Sequence, residues 1–160
     1  MNVILAQDFG IDMTEIVLKK DIINSFLKHG EKDYPFECCG FIIGHFIDEK
    51  SVGIEYIAVP NNKEENKERR FLIDPMAYQD DEDLADEKGL SIISIVHSHP
   101  DHPDKPSEFD RNHAWPGFSY IIMSIKKGVA VAYRSWKLDQ DRAKFIEEKI
   151  TIIKEDNPNG

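Results

Sequence analysis

Hydrophobic residues along this chain form short continuous or alternating runs, the pattern typical of β-strands. The runs are rich in branched side chains and bounded by turn residues, and they predict strands over 14–18, 38–46, 52–59, 70–73, 92–96, 118–125 and 129–136. Helical spacing predicts helices over 19–30, 75–88 and 107–114, the first ended by Gly30 and Pro35. Beyond Leu138 the pattern fits a strand or a helix. Strands before, between and after helices predict a mixed α/β (α+β) domain rather than a doubly wound one.

Length and composition add limits to this picture. The chain of 160 residues has the size of one domain, which we place at 13–155 after a loosely ordered N-terminal arm at 1–12. The net charge of −10 argues against nucleic-acid binding, which needs a basic surface. No hydrophobic run approaches the roughly 18 residues of a membrane span, and residues 1–10 show no signal peptide. The two cysteines, Cys38 and Cys39, are adjacent, so we expect a reduced, cytoplasmic protein.

Two histidines follow the strand predicted at 92–96, separated by one residue. Because side chains alternate across a strand, His97 and His99 should project from the same side, where both rings can reach one metal ion. A proline-containing loop then leads to Asp110, whose carboxylate can complete three protein ligands. Three ligands with an open fourth position are typical of catalytic zinc. The spacing alone leaves an alternative, in which both histidines are ordinary polar residues at the mouth of a loop.

Ser107 and Asp110 also have a structural explanation. Ser-x-x-Asp after a proline is typical of a helix N-cap with an acidic residue at the third helical position. The explanations are compatible, since a capped helix would hold Asp110 in the fixed orientation that a metal ligand needs. Two further histidines lie nearby. We predict His102 at the exposed rim of the loop and His113 on the short helix, neither of them a ligand.

Metal-assisted hydrolysis also needs a base that takes a proton from water and returns it to the leaving amine. Glu37 precedes a buried strand, where desolvation would raise its pKa, and is our choice for that role; the alternative is an ordinary polar residue at a strand start. The Ser107 hydroxyl can donate a hydrogen bond to a developing oxyanion. A metal-free thiol enzyme using Cys38 or Cys39 is a rival class, although cysteines in an apolar run are normally buried and inert. Iodoacetamide would inactivate such an enzyme, whereas a zinc chelator would not.

Together these residues resemble the signature of the JAMM (MPN-plus) metalloproteases. The motif comprises Glu37, then His97-Ser98-His99-Pro100, Ser107 and Asp110, and no motif position is missing. The segments 35–40, 71–75 and 114–120 are similar to stand-alone prokaryotic members, and the resemblance covers about residues 14–153. It implies a cytidine-deaminase-like fold, in which helices flank a curved mixed sheet. It also implies zinc on His97, His99 and Asp110, with Glu37 as general acid/base acting through the metal-bound water and Ser107 at the oxyanion.

The resemblance further implies a substrate class. Family members cleave after the C-terminal glycine of ubiquitin or ubiquitin-like proteins, and prokaryotic relatives act on sulfur-carrier proteins of the β-grasp fold, from which they remove C-terminal residues or an adduct such as cysteine. A zinc-dependent peptidase or isopeptidase of this kind is therefore expected, with an activating enzyme of the same pathway as an open second partner. The polar segment 60–70 is a hypothetical wall of the groove for the carrier's tail. The alternative function is a non-catalytic MPN-type scaffold that binds a β-grasp partner, although such relatives typically lack the ligand set present here.

Overall fold

Seven strands and three helices make up the part of the chain that the computed structural model describes, residues 14–59, 75–139 and 144–154. In chain order they are β1 (Glu15–Lys19), α1 (Lys20–Asp33), β2 (Cys39–Ile47), β3 (Lys50–Val59), α2 (Pro75–Glu87), β4 (Ser91–Pro100), α3 (Glu108–His113), β5 (Ser119–Lys126), β6 (Val129–Leu138) and β7 (Phe145–Ile153). Among the described residues, no helix combines the length and the hydropathy that a bilayer crossing requires.

The strands form one mixed sheet that closes on itself. Their order is β1-β3-β2-β4-β5-β6-β7, and β1 pairs with both β3 and β7. The pairs β1–β3, β1–β7 and β4–β5 are parallel, and the other neighbours are antiparallel. This arrangement confirms the mixed α/β class and the curved mixed sheet flanked by helices.

Each face of the sheet packs against one of the two longer helices. Ile22, Ile23 and Phe26 of α1 lie in one buried cluster with Val96 of β4. Ala85 of α2 belongs to a second cluster, together with Ile95 of β4. Strand β4 is therefore buried on both faces, which explains why residues 92–96 are all apolar except Ser94 and do not alternate with polar residues.

Of the two residues predicted to end α1, Gly30 lies inside the helix and only Pro35 follows its end. The helix continues to Asp33, and Gly30 is buried against β5. A Cβ atom at this position would lie 2.6 Å from the Met123 sulfur and 2.9 Å from Ile125 Cδ1. The glycine thus permits close approach of helix and sheet, and the helix ends just before Pro35 instead.

Other element boundaries also differ from the sequence prediction. Strand β4 extends from Ser91 through Pro100, so both site histidines lie within it rather than after it. The ambiguous region after Leu138 contains strand β7. The predicted arm at 1–12, the polar segment 60–70 and the strand at 70–73 fall outside the described residues.

Candidate metal centre

Strand β4 places two buried imidazoles side by side. His97 and His99 share the face of Ile95, because side chains alternate along the strand. β4 lies between β2 and β5, with His97 opposite Cys39 on one side and Ile122 on the other. The two rings have centroids 5.0 Å apart and are tilted by 59°. The neighbouring strands thus hold both rings in a fixed relation, on the same side as the sequence predicted.

Hydrogen bonds fix the backbone of the loop that follows β4. Three consecutive carbonyls, those of His102, Pro103 and Asp104, each accept a hydrogen bond from a side chain on a strand. The donors are Ser124 Oγ (2.7 Å), His99 Nδ1 (2.7 Å) and Trp136 Nε1 (3.1 Å), in that order. Because a carbonyl can only accept, His99 carries a proton on Nδ1, and Nε2 is the ring nitrogen that faces Asp110.

The start of α3 orients the third residue. Asp110 N–H donates to Ser107 Oγ at 3.0 Å, and Ser107 N–H donates to Asp110 Oδ2 at 2.8 Å. This reciprocal pair confirms the predicted capping box. It restricts the rotation of the Asp110 carboxylate and directs it at the two histidines.

The three side chains converge on one point. Asp110 Oδ2 lies 3.1 Å from His99 Nε2, and Asp110 Oδ1 lies 3.4 Å from His97 Nε2. One nitrogen or oxygen from each residue lies within 4.8 Å of those of the other two, and all three side chains are buried. Two imidazoles and one carboxylate form a donor set that zinc takes in catalytic sites, so the residues present fit that ion.

Electrostatics favour the protonation states that a cation needs. Burial lowers the pKa of His97, and this outweighs the attraction of the nearby Asp110 carboxylate. Burial alone would raise the pKa of Asp110, but the charge of His97 and hydrogen bonds with His97, His99 and the Ser107 N–H hold it well below its usual range. A neutral His97 facing an ionised Asp110 is ready to accept a metal without first releasing protons.

Glu37 reaches the same region from the segment just before β2. Cys38 N–H donates to Ser98 Oγ at 2.9 Å, and Ser98 N–H donates to the Cys38 carbonyl at 3.1 Å. Ser98 lies between the two histidines, so these bonds hold the residue before Cys38 next to the imidazole pair. Glu37 is half-buried there.

One cleft of about 510 Å³ collects the predicted site residues. Glu37, His99, Ser107 and Asp110 line it, whereas His97 is fully buried behind them. His102 is exposed on the rim and His113 lies on α3, stacked against Phe109, as predicted for both. Sequence patterns did not point to Lys105, which also lines the cleft, or to Ser98; neither carries a pattern of its own that would have singled it out.

The two cysteines do not form a nucleophilic site. Both are free thiols, and burial raises the pKa of Cys38 to about 12. Burial also raises the pKa of Cys39, with a further contribution from Cys38. Thiols that stay protonated at neutral pH are poor nucleophiles, so the geometry disfavours the thiol-enzyme alternative.

Several known proteins are similar to a large part of this chain. A family model described as prokaryotic homologs of the JAB domain matches residues 19–139. The chain is 27% identical over 116 residues to the desampylase of Haloferax volcanii, covering 69% of this chain and 81% of that protein. It is 32% identical over 94 residues to tail tip assembly protein K of Escherichia phage N15, covering 59% of this chain but only 34% of the phage protein.

Solved structures with the same fold come from bacteria and an archaeon. A Salinibacter ruber protein is 34% identical with a TM-score of 0.69, covering 85% of this chain and 90% of that one. A Desulfitobacterium hafniense protein is 26% identical with a TM-score of 0.76, covering 88% and 94%. A JAB1/MPN domain protein from Archaeoglobus fulgidus, at 16% identity, has a TM-score of 0.56 over 87% and 98%, a likeness of fold alone. Since the family model covers most of the described domain, the chain belongs to the prokaryotic homologues of the JAB domain, a stand-alone branch of the JAMM/MPN family.

Proposed function

We propose that this protein is a zinc-dependent peptidase or isopeptidase that cleaves after the C-terminal glycine of a ubiquitin-like or sulfur-carrier β-grasp protein. The observation that carries the proposal is the convergence of His97, His99 and Asp110 beside Glu37 in one cleft. In this proposal residues 13–155 form a single catalytic domain. We place the protein in the reducing cytoplasm, where the free thiols of Cys38 and Cys39 would stay reduced.

Each residue has a separate role in the proposed reaction. Zinc held by His97, His99 and Asp110 would polarise the scissile carbonyl and make hydrolysis feasible near neutral pH. Glu37 lines the cleft beside these residues, so its carboxylate takes a proton from the attacking water and passes it to the leaving nitrogen.

Ser107 acts at the developing oxyanion. Its Oγ accepts the Asp110 N–H with a lone pair, which leaves the hydroxyl proton to be donated into the cleft. The capping box fixes the residue, so this donor needs little reorganisation during the reaction. The desampylase of Haloferax volcanii, a relative by sequence, supports a hydrolase of this type.

Mass spectrometry of candidate substrates tests the proposal. Zinc-loaded protein is incubated with sulfur-carrier proteins that carry extra residues after Gly-Gly, with Glu37→Gln protein as the matched control. We expect the wild-type protein to release the extension and leave a carrier ending in Gly-Gly, and the variant to leave the carrier intact. Stoichiometric zinc with no cleavage of any carrier would favour the non-catalytic scaffold instead.

A further inference from the structure

The cleft carries one basic side chain whose role the proposed reaction leaves open. Lys105 is the single lysine or arginine among the described residues that line it. Its side chain is exposed and makes no hydrogen bond or ion pair with the described part of the chain. The nearest acid in sequence within the cleft, Glu108, instead pairs with Arg111 at 3.8 Å. The cleft is therefore lined by one exposed lysine that has no described hydrogen-bond or ion-pair partner, in a protein whose net charge is −10.

The backbone under Lys105 is unusually well fixed for a loop. The carbonyls of the three preceding residues accept hydrogen bonds from side chains on β4, β5 and β6. Arg134 also pairs with the Asp104 carboxylate at 3.5 Å. On the other side, Pro106 leads directly into Ser107 of the capping box. The backbone on both sides of Lys105 is thus fixed. When an anion binds, only the Lys105 side chain has to become ordered.

Lys105 is close enough to Ser107 in sequence to reach a substrate group just beyond the scissile bond. Lys105 is two residues from Ser107, the proposed oxyanion donor. When an amino acid is released from a carrier's C-terminal glycine, its α-carboxylate carbon is three bonds from the scissile carbonyl carbon, which is less than one Cα–Cα spacing of ~3.8 Å. The four-carbon stem of a lysine can cover such an offset and place its ammonium on that carboxylate.

We infer that Lys105 binds the free α-carboxylate of the residue that is released, and so makes this protein select a carrier with a C-terminal extension over a carrier joined through an isopeptide bond. This inference rests on the proposed function and selects within it. In the hydrolysis, water adds across the amide, the C–N bond breaks, and the released amino acid takes up the proton on nitrogen. An isopeptide to a lysine inside a folded protein presents no free carboxylate beside the scissile bond, and such a substrate gains nothing from Lys105.

Kinetics with paired substrates test this contact. Carriers ending in Gly-Gly-Xaa are prepared as the free acid and as the C-terminal amide, and kcat/KM is measured for wild type, Lys105→Met and Lys28→Met. Lys28 is a matched control, since it is exposed on α1, on the opposite face of the sheet from the histidines. We expect wild type and Lys28→Met to prefer the acid by about tenfold, the size of one charge-assisted hydrogen bond, and Lys105→Met to lose the preference while cleaving the amide normally.

A binding measurement separates this inference from the proposed function. The zinc-loaded Glu37→Gln protein is titrated with both carriers, with and without Lys105→Met. A tighter Kd for the acid that disappears in the double variant supports the carboxylate contact, even if the wild-type protein cleaves neither carrier and the hydrolytic proposal fails. Equal Kd values for acid and amide, or an acid preference that survives Lys105→Met in either assay, would overturn it.

Discussion

The two ring nitrogens of His99 have different contacts, one to the loop backbone and one to the site. Nδ1–H donates to the Pro103 carbonyl, and Nε2 faces Asp110. A hydrogen bond from the N–H of the non-ligating ring nitrogen to a carbonyl orients a ligating imidazole and raises its basicity. For His97, complete burial lowers the pKa and so favours the neutral ring that a metal ion needs. The two histidines are therefore prepared for the same ion by different physical means.

Glu37→Gln tests the proposed general acid/base role of Glu37, because it replaces a single carboxylate oxygen by an amide nitrogen. The amide keeps the volume of the side chain but cannot take a proton, so we expect hydrolysis to fall by about 10²–10⁴-fold. Because Glu37 is not among the three converging donors, zinc content by elemental analysis and the thermal unfolding midpoint should stay at wild-type values. Near-native turnover in this variant would remove Glu37 from the mechanism.

Loss of a ligand should have a different signature. In His97→Ala or Asp110→Ala, one of three donors disappears, and we expect both bound zinc and activity to be lost. Asp110→Ala also removes the acceptor for Ser107 N–H and weakens the capping box, at a cost of about 1 kcal/mol to the protein. Elemental analysis of purified, folded protein decides the matter, and a variant that keeps one zinc per chain would contradict the assignment.

At the scale of elements, two separate links join the segments that carry Glu37 and His99. The Cys38–Ser98 hydrogen bonds form one link within the sheet. At the surface, the Tyr34 hydroxyl donates to Asp101 Oδ2 at 2.7 Å, just before Glu37 and just after β4. Asp101 Oδ1 also accepts Lys127 N–H at 2.8 Å, which ties in the β5–β6 turn. The hydrogen bonds from Lys127 and Tyr34 lower the pKa of Asp101, so its carboxyl group is ionised at neutral pH.

Tyr34→Phe should loosen the surface link without touching the metal ligands. We expect a fall of about threefold to tenfold in kcat, since a small misplacement of a reacting group is costly in rate. Zinc content should be unchanged. In a double-mutant cycle, Asp101→Asn should add little once Tyr34 is replaced, because both variants break the same hydrogen bond. Fully additive effects of the two substitutions would show that the link does not act as a unit.

The sequence predicted those parts of the fold and site that depend on local spacing. The common side of His97 and His99 follows from strand alternation, and the capping box from the interval between Ser107 and Asp110. By contrast, the contact that makes Gly30 an interior helix residue comes from Met123, nearly a hundred residues away. Likewise, nothing near Asp104 in sequence indicates that Trp136 binds its carbonyl. Such long-range contacts depend on the complete fold, and local patterns do not contain them.

On the scale of the whole molecule, closure of the sheet brings early and late strands together. β1 and β7 pair in parallel along their length, from Glu15 opposite Lys149 to Lys19 opposite Ile153. Closure leaves no free edge between these two strands, and it buries Glu148 of β7. The Ser135 hydroxyl donates to Glu148 Oε1 at 2.8 Å. A carboxyl group that does not line the cleft is thus buried next to β6.

Glu148 should make the stability of the fold depend on pH. Burial raises the pKa of its carboxyl in the folded protein, and the Ser135 hydrogen bond and the charge of Lys137 only partly oppose this. The folded state therefore binds a proton more tightly than the unfolded chain, whose pKa lies near 4.5. Its contribution to stability is fully present below that value and is lost as pH rises through the folded pKa. Glu148→Gln stays neutral, so the unfolding free energy of the variant minus that of wild type should increase from pH 4.5 toward pH 8, as measured by urea denaturation. A difference that stays constant across this range would mean that the buried carboxyl titrates as it does in the unfolded chain.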